Sequence, residues 1–329
     1  MTREVPVPLR YPGGKARLAP FFTRLIRSQV PAPTHYAEPY AGGAGAALRL
    51  LTDSAVDHIH INDINAGIAA FWRTITTPDG AEAFNQLINS TPVTIDQWHH
   101  QRAVYQAGQA DDLTLGFATF YLNRTNRSGI LDARPIGGLE QTGKWKIDAR
   151  YNKPALIERV KHVATLGHRI HVTQLDGLDF LTTMEPHATD VLVYADPPYV
   201  EQGGSLYLHA FNANDHQALA DKLLTATYPW LLTYDDQEII WADLYTAARC
   251  ARFNIAHTAA IQHVGKETTP SPSPQASKSP PESTQPGSPN PESTPETRPY
   301  PLPRTREPLN RKAGPVAGYV SPVVRRTAP

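Results

Sequence analysis

A single cysteine, Cys250, leaves no partner within the 329 residues, so a disulfide-built scaffold is excluded and a reducing, cytoplasmic setting is expected. No apolar run reaches the roughly 20 residues that a membrane helix requires, so no membrane partner is expected. Residues 1–10 lack the apolar centre of a secretion signal. Net charge is missing too: Lys+Arg and Asp+Glu both count 31. Bulk attraction to a polyanion is thereby removed, and any nucleic-acid contact must come from local clusters.

What is present is ordinary in amount and uneven in placement. A hydrophobic share of 40% and a charged share of 19% suit a globular domain. The 31 prolines do not spread evenly. Residues 270–303 are dominated by Pro, Ser, Thr and Glu, and Pro281-Glu282-Ser283-Thr284 recurs as Pro291-Glu292-Ser293-Thr294. Such a segment lacks the apolar surface to offset its ordering entropy, so 267–329 reads as a disordered tail. Its end, 298–329, sets seven positive charges against Glu307, a pattern able to touch phosphates without specificity.

Upstream, strand and helix patterns alternate. Segments 34–40, 58–62, 169–175, 191–195 and 230–234 read as strands, with helical patterns at 44–51 and 64–75. Alternation of this kind predicts an α/β fold with a doubly wound, Rossmann-like sheet and a nucleotide-type ligand at its strand C-termini. About a hundred residues separate the second strand from the third, far more than a crossover needs. The expected organisation is a catalytic domain over 1–76 and 166–266, with an inserted recognition subdomain over 77–165.

Four motifs carry chemistry. Glu38-Pro39-Tyr40-Ala41-Gly42-Gly43-Ala44-Gly45 is a strand end entering a glycine turn and a helix, where backbone can approach a ligand closely. The dinucleotide spacing fails, because Leu48 stands where a third glycine belongs. Asn62-Asp63-Ile64-Asn65 places a carboxylate at the end of the next strand, suited to ribose hydroxyls or, more simply, to capping a helix. Asp196-Pro197-Pro198-Tyr199 follows a buried-looking strand. Consecutive prolines fix φ and present carbonyls without N–H donors. A base amine whose lone pair is delocalised becomes nucleophilic if Asp196 and the Pro197 carbonyl accept its protons, with Tyr199 stacked on the ring. Arg10-Tyr11-Pro12-Gly13-Gly14-Lys15 adds an aromatic, a glycine turn and a cation, able to cover a cofactor with Lys15 on its carboxylate.

In this order the four motifs resemble the D12-class (α group) adenine-N6 DNA methyltransferases, over roughly residues 8–265. The resemblance implies S-adenosylmethionine as cofactor, bound by Tyr11, Lys15, Glu38, Pro39, Tyr40, Gly42, Gly43 and Asp63, with Asp196 beside it. It implies an adenine-contacting acid at Asp176, with Asp179 close enough to compete. It implies a catalytic strip of Asp196, Pro197, Pro198 and Tyr199, and no metal. A target-recognition hairpin would begin at residues 122–129, with Asn123, Arg124, Asn126 and Arg127 on DNA together with Lys144 and Lys146. The composition agrees: residues 123–153 set seven positive side chains against three acids, with Trp145 and Tyr151 interleaved. The expected partner is double-stranded DNA, the expected state a monomer, and a separately acting restriction endonuclease fits the same picture. Cytosine-N4 methylation, an RNA or protein-amide substrate and an inactive DNA-binding relative stay open. The family's final apolar strand is not visible after Gln262, and 316–324, broken by Gly318 and Pro322, makes a poor replacement.

Overall fold

The protein is described by a computed structural model over residues 7–11, 14–198, 211–235, 237–256 and 264–272, by backbone alone from residue 251 onward. Five parallel strands form the central sheet in the order β3-β2-β1-β4-β5. They are β1 (His35–Glu38), β2 (His58–Asn62), β3 (Ile170–Thr173), β4 (Val191–Ala195) and β5 (Trp230–Leu232). All five fall within the segments expected from the sequence. β4 is buried at every residue, as a central strand covered on both faces must be.

The alternation of side chains divides the core. Tyr36, Ile59, Ile61, Leu192 and Tyr194 face one layer with α1 (Ala19–Ser28), α2 (Gly45–Thr52) and α3 (Ala66–Ile75). Ala37, Val191, Val193 and Ala195 face the other, with α8 (Gly177–Thr183) and α9 (Ala213–Thr225). Local chemistry sets the helix starts. Asn65 caps α3 by accepting the Ile68 N–H at 3.1 Å, and Asn212 opens α9 with a reciprocal capping box to Asp215.

The long stretch between β2 and β3 holds α4 (Pro78–Ser90), α5 (Ile95–Ala107), α6 (Asp112–Thr125) and α7 (Lys153–Leu166). It shares its core with the sheet: Phe84, Trp98, Phe117, Phe120, Tyr121 and Leu156 belong to the same apolar cluster as Tyr36 and Ile59. Glycines permit the close crossing of α3 and α6. A Cβ on Gly67 would lie 2.1 Å from the Thr119 hydroxyl, and one on Gly116 would lie 2.8 Å from the Phe71 backbone. Arg73 clamps the same pair through both Asp112 oxygens at 2.7 Å.

A further strand follows Gln262, where none is visible in the sequence. β8 (Val264–Pro272) lies between β6 (Tyr234–Asp235) and β7 (Ala248–Ala256), antiparallel to both. β6 follows β5 after the single residue Thr233, and β6, β8 and β7 form a second, three-stranded sheet in that order. β8 therefore crosses the boundary at 267 expected for the tail, and the region 316–324 considered as its replacement lies outside the described residues. Pro270 and Pro272 explain why it is not visible in the sequence. Both oppose β7, at Cys250 and Ala248, where a missing N–H costs a ladder bond but leaves the backbone extended.

Candidate active site

The sequence motifs converge at the C-terminal ends of β1, β2, β3 and β4. After β1 the chain turns through Gly42 at φ +47 and Ala44 at φ +46 into α2. The Tyr11 ring packs on this turn so closely that a Cβ on Gly42 would meet it at 2.5 Å. The turn is tied from three sides. Asp63 Oδ2 accepts the Gly42 N–H at 2.9 Å, its Oδ1 accepts the Asn65 N–H at 2.9 Å, and the Trp72 indole donates to the Gly42 carbonyl at 2.9 Å. Helix capping thus falls to Asn65, and Asp63 bridges the turns that follow β1 and β2. Glu38 is buried and accepts the Ala47 N–H of α2 at 3.1 Å. Burial pushes its carboxyl up to about 8, against the pull of the neighbouring hydrogen bonds.

In the sequence Asn62 stands out only as Asp63's neighbour. In the fold it joins three strand ends, donating to the Pro39 and Leu175 carbonyls at 3.0 Å and accepting the Thr173 hydroxyl and the Leu175 N–H at 2.8 Å. Asp176 directly follows this knot and caps α8 through the Leu178 N–H at 2.8 Å. Asp179 sits within the first turn of α8. The Tyr40 hydroxyl, buried between the β1 turn and Gly177, has no hydrogen-bond partner among the described residues. Burial and the nearby Asp176 raise its pKa.

Asp196 directly follows β4, and both of its oxygens are held. Lys15, buried to 5% side-chain exposure, forms an ion pair with Oδ2 at 3.0 Å, and the Thr233 hydroxyl donates to Oδ1 at 2.8 Å. The sequence suggests Lys15 on the cofactor's carboxylate; in the structure its ammonium pairs with Asp196. Pro197 is buried and Pro198 half-buried. Tyr199 lies outside the described residues. Tyr194 and Thr233 escape a sequence reading, since apolar strands with a lone hydroxyl carry no motif.

The basic segment differs from a hairpin. α6 runs on to Thr125, a single bridge pairs Asn126 with Pro135, and short 3-10 turns occupy Arg127–Gly129 and Ile147–Arg150. Asn123, Arg124 and Asn126 are buried rather than presented to a partner. Asn123 accepts the Arg10 N–H at 2.7 Å and donates to the Arg10 and Gly129 carbonyls. Asn126 accepts the Trp98 indole N–H at 2.6 Å and donates to the Ile130 and Leu131 carbonyls. Arg124 donates to the Arg150 carbonyl at 3.0 Å, and burial, with Arg159 and Arg10 nearby, pulls its pKa down to about 9. Tyr151 packs against Phe120 and Tyr121 in the core. Arg127, Lys144, Trp145 and Lys146 remain exposed. Among the described residues no group of His, Cys, Asp or Glu is arranged to hold a metal ion, and no helix is long and apolar enough to cross a membrane.

A doubly wound sheet with a glycine turn after β1, an acid after β2 and Asp-Pro-Pro after β4 defines a Rossmann-like domain. Residues 11–261 match the model of the D12 class N6 adenine-specific DNA methyltransferases, and the chain belongs to that family. It is thus an adenine-specific DNA methyltransferase. No curated protein matches the chain. The residues fit the cofactor that such enzymes generally use, S-adenosylmethionine: Asp63 and Asp176 offer carboxylate oxygens at two strand ends, and the Tyr40 hydroxyl is buried there with no partner among the described residues.

Proposed function

We propose that the enzyme transfers a methyl group from S-adenosylmethionine to N6 of an adenine flipped out of double-stranded DNA. The cofactor supplies an electrophilic methyl group on a sulfonium. Asp63 takes the ribose hydroxyls, Tyr11 covers the glycine turn, and Asp176 and Tyr40 hold the adenine end. Flipping is required because the exocyclic amine cannot be approached within the stack. Asp196 accepts a hydrogen bond from one amine N–H and takes that proton as the methyl group arrives. The Pro197 carbonyl accepts a hydrogen bond from the other N–H, which stays on the methylated nitrogen, Tyr199 stacks on the base, and Pro198 keeps the shelf rigid. Catalysis then comes from position and from preorganised acceptors. On the DNA side, Arg127, Lys144 and Lys146 engage phosphates and base edges, with Asn123, Arg124 and Asn126 bracing the loop from inside. The enzyme works as a monomer in the cytoplasm, and any cognate endonuclease acts separately.

The observation that carries this reading is the placement of Asp196: a carboxylate at the end of a central strand, fixed through both oxygens and followed by two prolines. Asp196→Ala is expected to lower methyl transfer by at least about 10²–10³-fold, the scale of losing one preorganised catalytic contact. Cofactor affinity should stay within about threefold, since other residues carry it. Labelled-cofactor transfer with mass analysis of the nucleosides checks both the rate and the base. Near-normal methylation by Asp196→Ala would sink the assignment.

A further inference from the structure

We propose that Thr233, backed by Tyr194, is a positioning residue that fixes the orientation of the Asp196 carboxylate for methyl transfer. Thr233 is 2% exposed and joins β5 to β6, beside the strand that ends in the catalytic strip. Its main-chain N–H donates to the Ala195 carbonyl at 3.0 Å, one residue before Asp196. Its hydroxyl lies 2.8 Å from Asp196 Oδ1 and 2.8 Å from the Tyr194 hydroxyl, which is buried near the end of β4, two residues before Asp196.

The direction of this chain follows from proton counting. An ionised carboxylate only accepts, so Thr233 donates to Asp196. A hydroxyl carries one proton, so Tyr194 must donate to the Thr233 oxygen. Two buried hydroxyls are thus aligned head to tail toward one carboxylate oxygen, while Lys15 pulls on the other from the opposite element. An exposed carboxylate turns freely about its side-chain bonds; one held by donors on two separate elements does not. Tyr194 is itself braced, with its ring 4.7 Å from Phe22 of α1. The apolar core on one face of the sheet therefore sets the angle of the acceptor.

The inference rests on the reading of Asp196 as the amine's proton acceptor, and its test separates the two. Thr233→Val keeps the shape and removes the hydroxyl; Thr233→Ser keeps the hydroxyl; Tyr194→Phe removes the distal donor. In single-turnover transfer, Thr233→Val is expected to lose about 10- to 100-fold in rate, the scale on which small misplacements act. The KM for DNA and the calorimetric affinity for S-adenosylmethionine should stay within about twofold. Thr233→Ser should recover the rate to within about threefold, and Tyr194→Phe should fall between. The acid limb of the pH–rate profile of Thr233→Val should move to higher pH, because a carboxylate that loses a donor is protonated more readily. If Thr233→Val matches the wild-type rate and profile, the inference is overturned while the assignment of Asp196 stands. It is overturned equally if Thr233→Ser is as slow as Thr233→Val. Should Thr233→Val fail to fold, Tyr194→Phe and Thr233→Ser decide, and a wild-type-like rate in the former rejects the chain of hydroxyls. Absence of transfer in the wild type overturns the underlying reading and the inference with it.

Discussion

Asn126 has a side chain whose oxygen and both N–H groups are engaged inside the protein, at Trp98, Ile130 and Leu131. Replacing it with alanine leaves the buried Trp98 indole N–H unpaired and removes the amide donors from the half-buried Ile130 and Leu131 carbonyls, the former keeping the Ala133 N–H. Asn126→Ala should therefore lose stability on the order of 1–3 kcal/mol or more, read from urea unfolding. DNA affinity, measured where the variant is fully folded, should change little. A large loss of affinity with unchanged stability would return Asn126 to the DNA interface. The same residue shows where sequence reading stops. Asn and Arg beside a basic, glycine-rich loop carry the right functional groups for DNA, but pattern alone does not say which way a side chain turns. Asp196, Asp63 and Gly42 were legible because their chemistry is tied to strand ends and turns that the local sequence specifies. Thr233 and Tyr194 were not, because their role depends on strand adjacency between β4 and β5 that only the folded sheet creates.

Among the elements, the first five strands were legible because apolar runs ending at turns or acids fix both their type and their place. β8 was not. Its residues read as the beginning of a Pro-, Ser- and Thr-rich tail, and what makes them a strand is the pairing offered by β6 and β7. Nine residues opposite β7 give a ladder long enough to override weak intrinsic preference. A chain ending at residue 272 should accordingly melt higher than one ending at residue 263. Each kcal/mol of pairing lost corresponds to roughly 2–4 °C for a domain of this size. Both chains lack the tail, so their difference isolates β8. Equal melting temperatures would mean that β8 adds nothing to the sheet.

For the molecule as a whole, the least expected feature is a run of histidines across one face of the sheet. His35 on β1, His58 and His60 on β2 and His171 on β3 fall on a common face by register, and His187 joins them from the turn after α8. The rings stack, His35 on His60 at 5.1 Å and His60 on His171 at 4.7 Å. His35 Nδ1 and His60 Nε2 approach to 2.8 Å, which requires one of them to be unprotonated. Burial, followed by the neighbouring histidines, pulls His60 down to about 3, and His35 and His171 are lowered by burial too. The acids in reach are Asp190, 3.7 Å from His35, and Asp57; both favour a charged His35 and neither offsets its burial. The sign of the pH dependence follows. Above the unfolded histidine value of about 6.5 neither state binds protons here, so stability is level. As pH falls below it, the unfolded chain takes up protons that the folded sheet refuses, and stability drops continuously toward the folded value of His60 near 3. The cluster's own contribution to the melting temperature should hence be flat between pH 7 and 8 and decline steadily from about pH 6.5 to pH 5. The Glu38 carboxyl, raised to about 8, works the other way and stabilises the fold as pH falls below that value. His60→Gln, which keeps a polar side chain without the titration, should flatten that decline. An unchanged acid slope in His60→Gln would mean that the cluster does not govern the enzyme's acid stability.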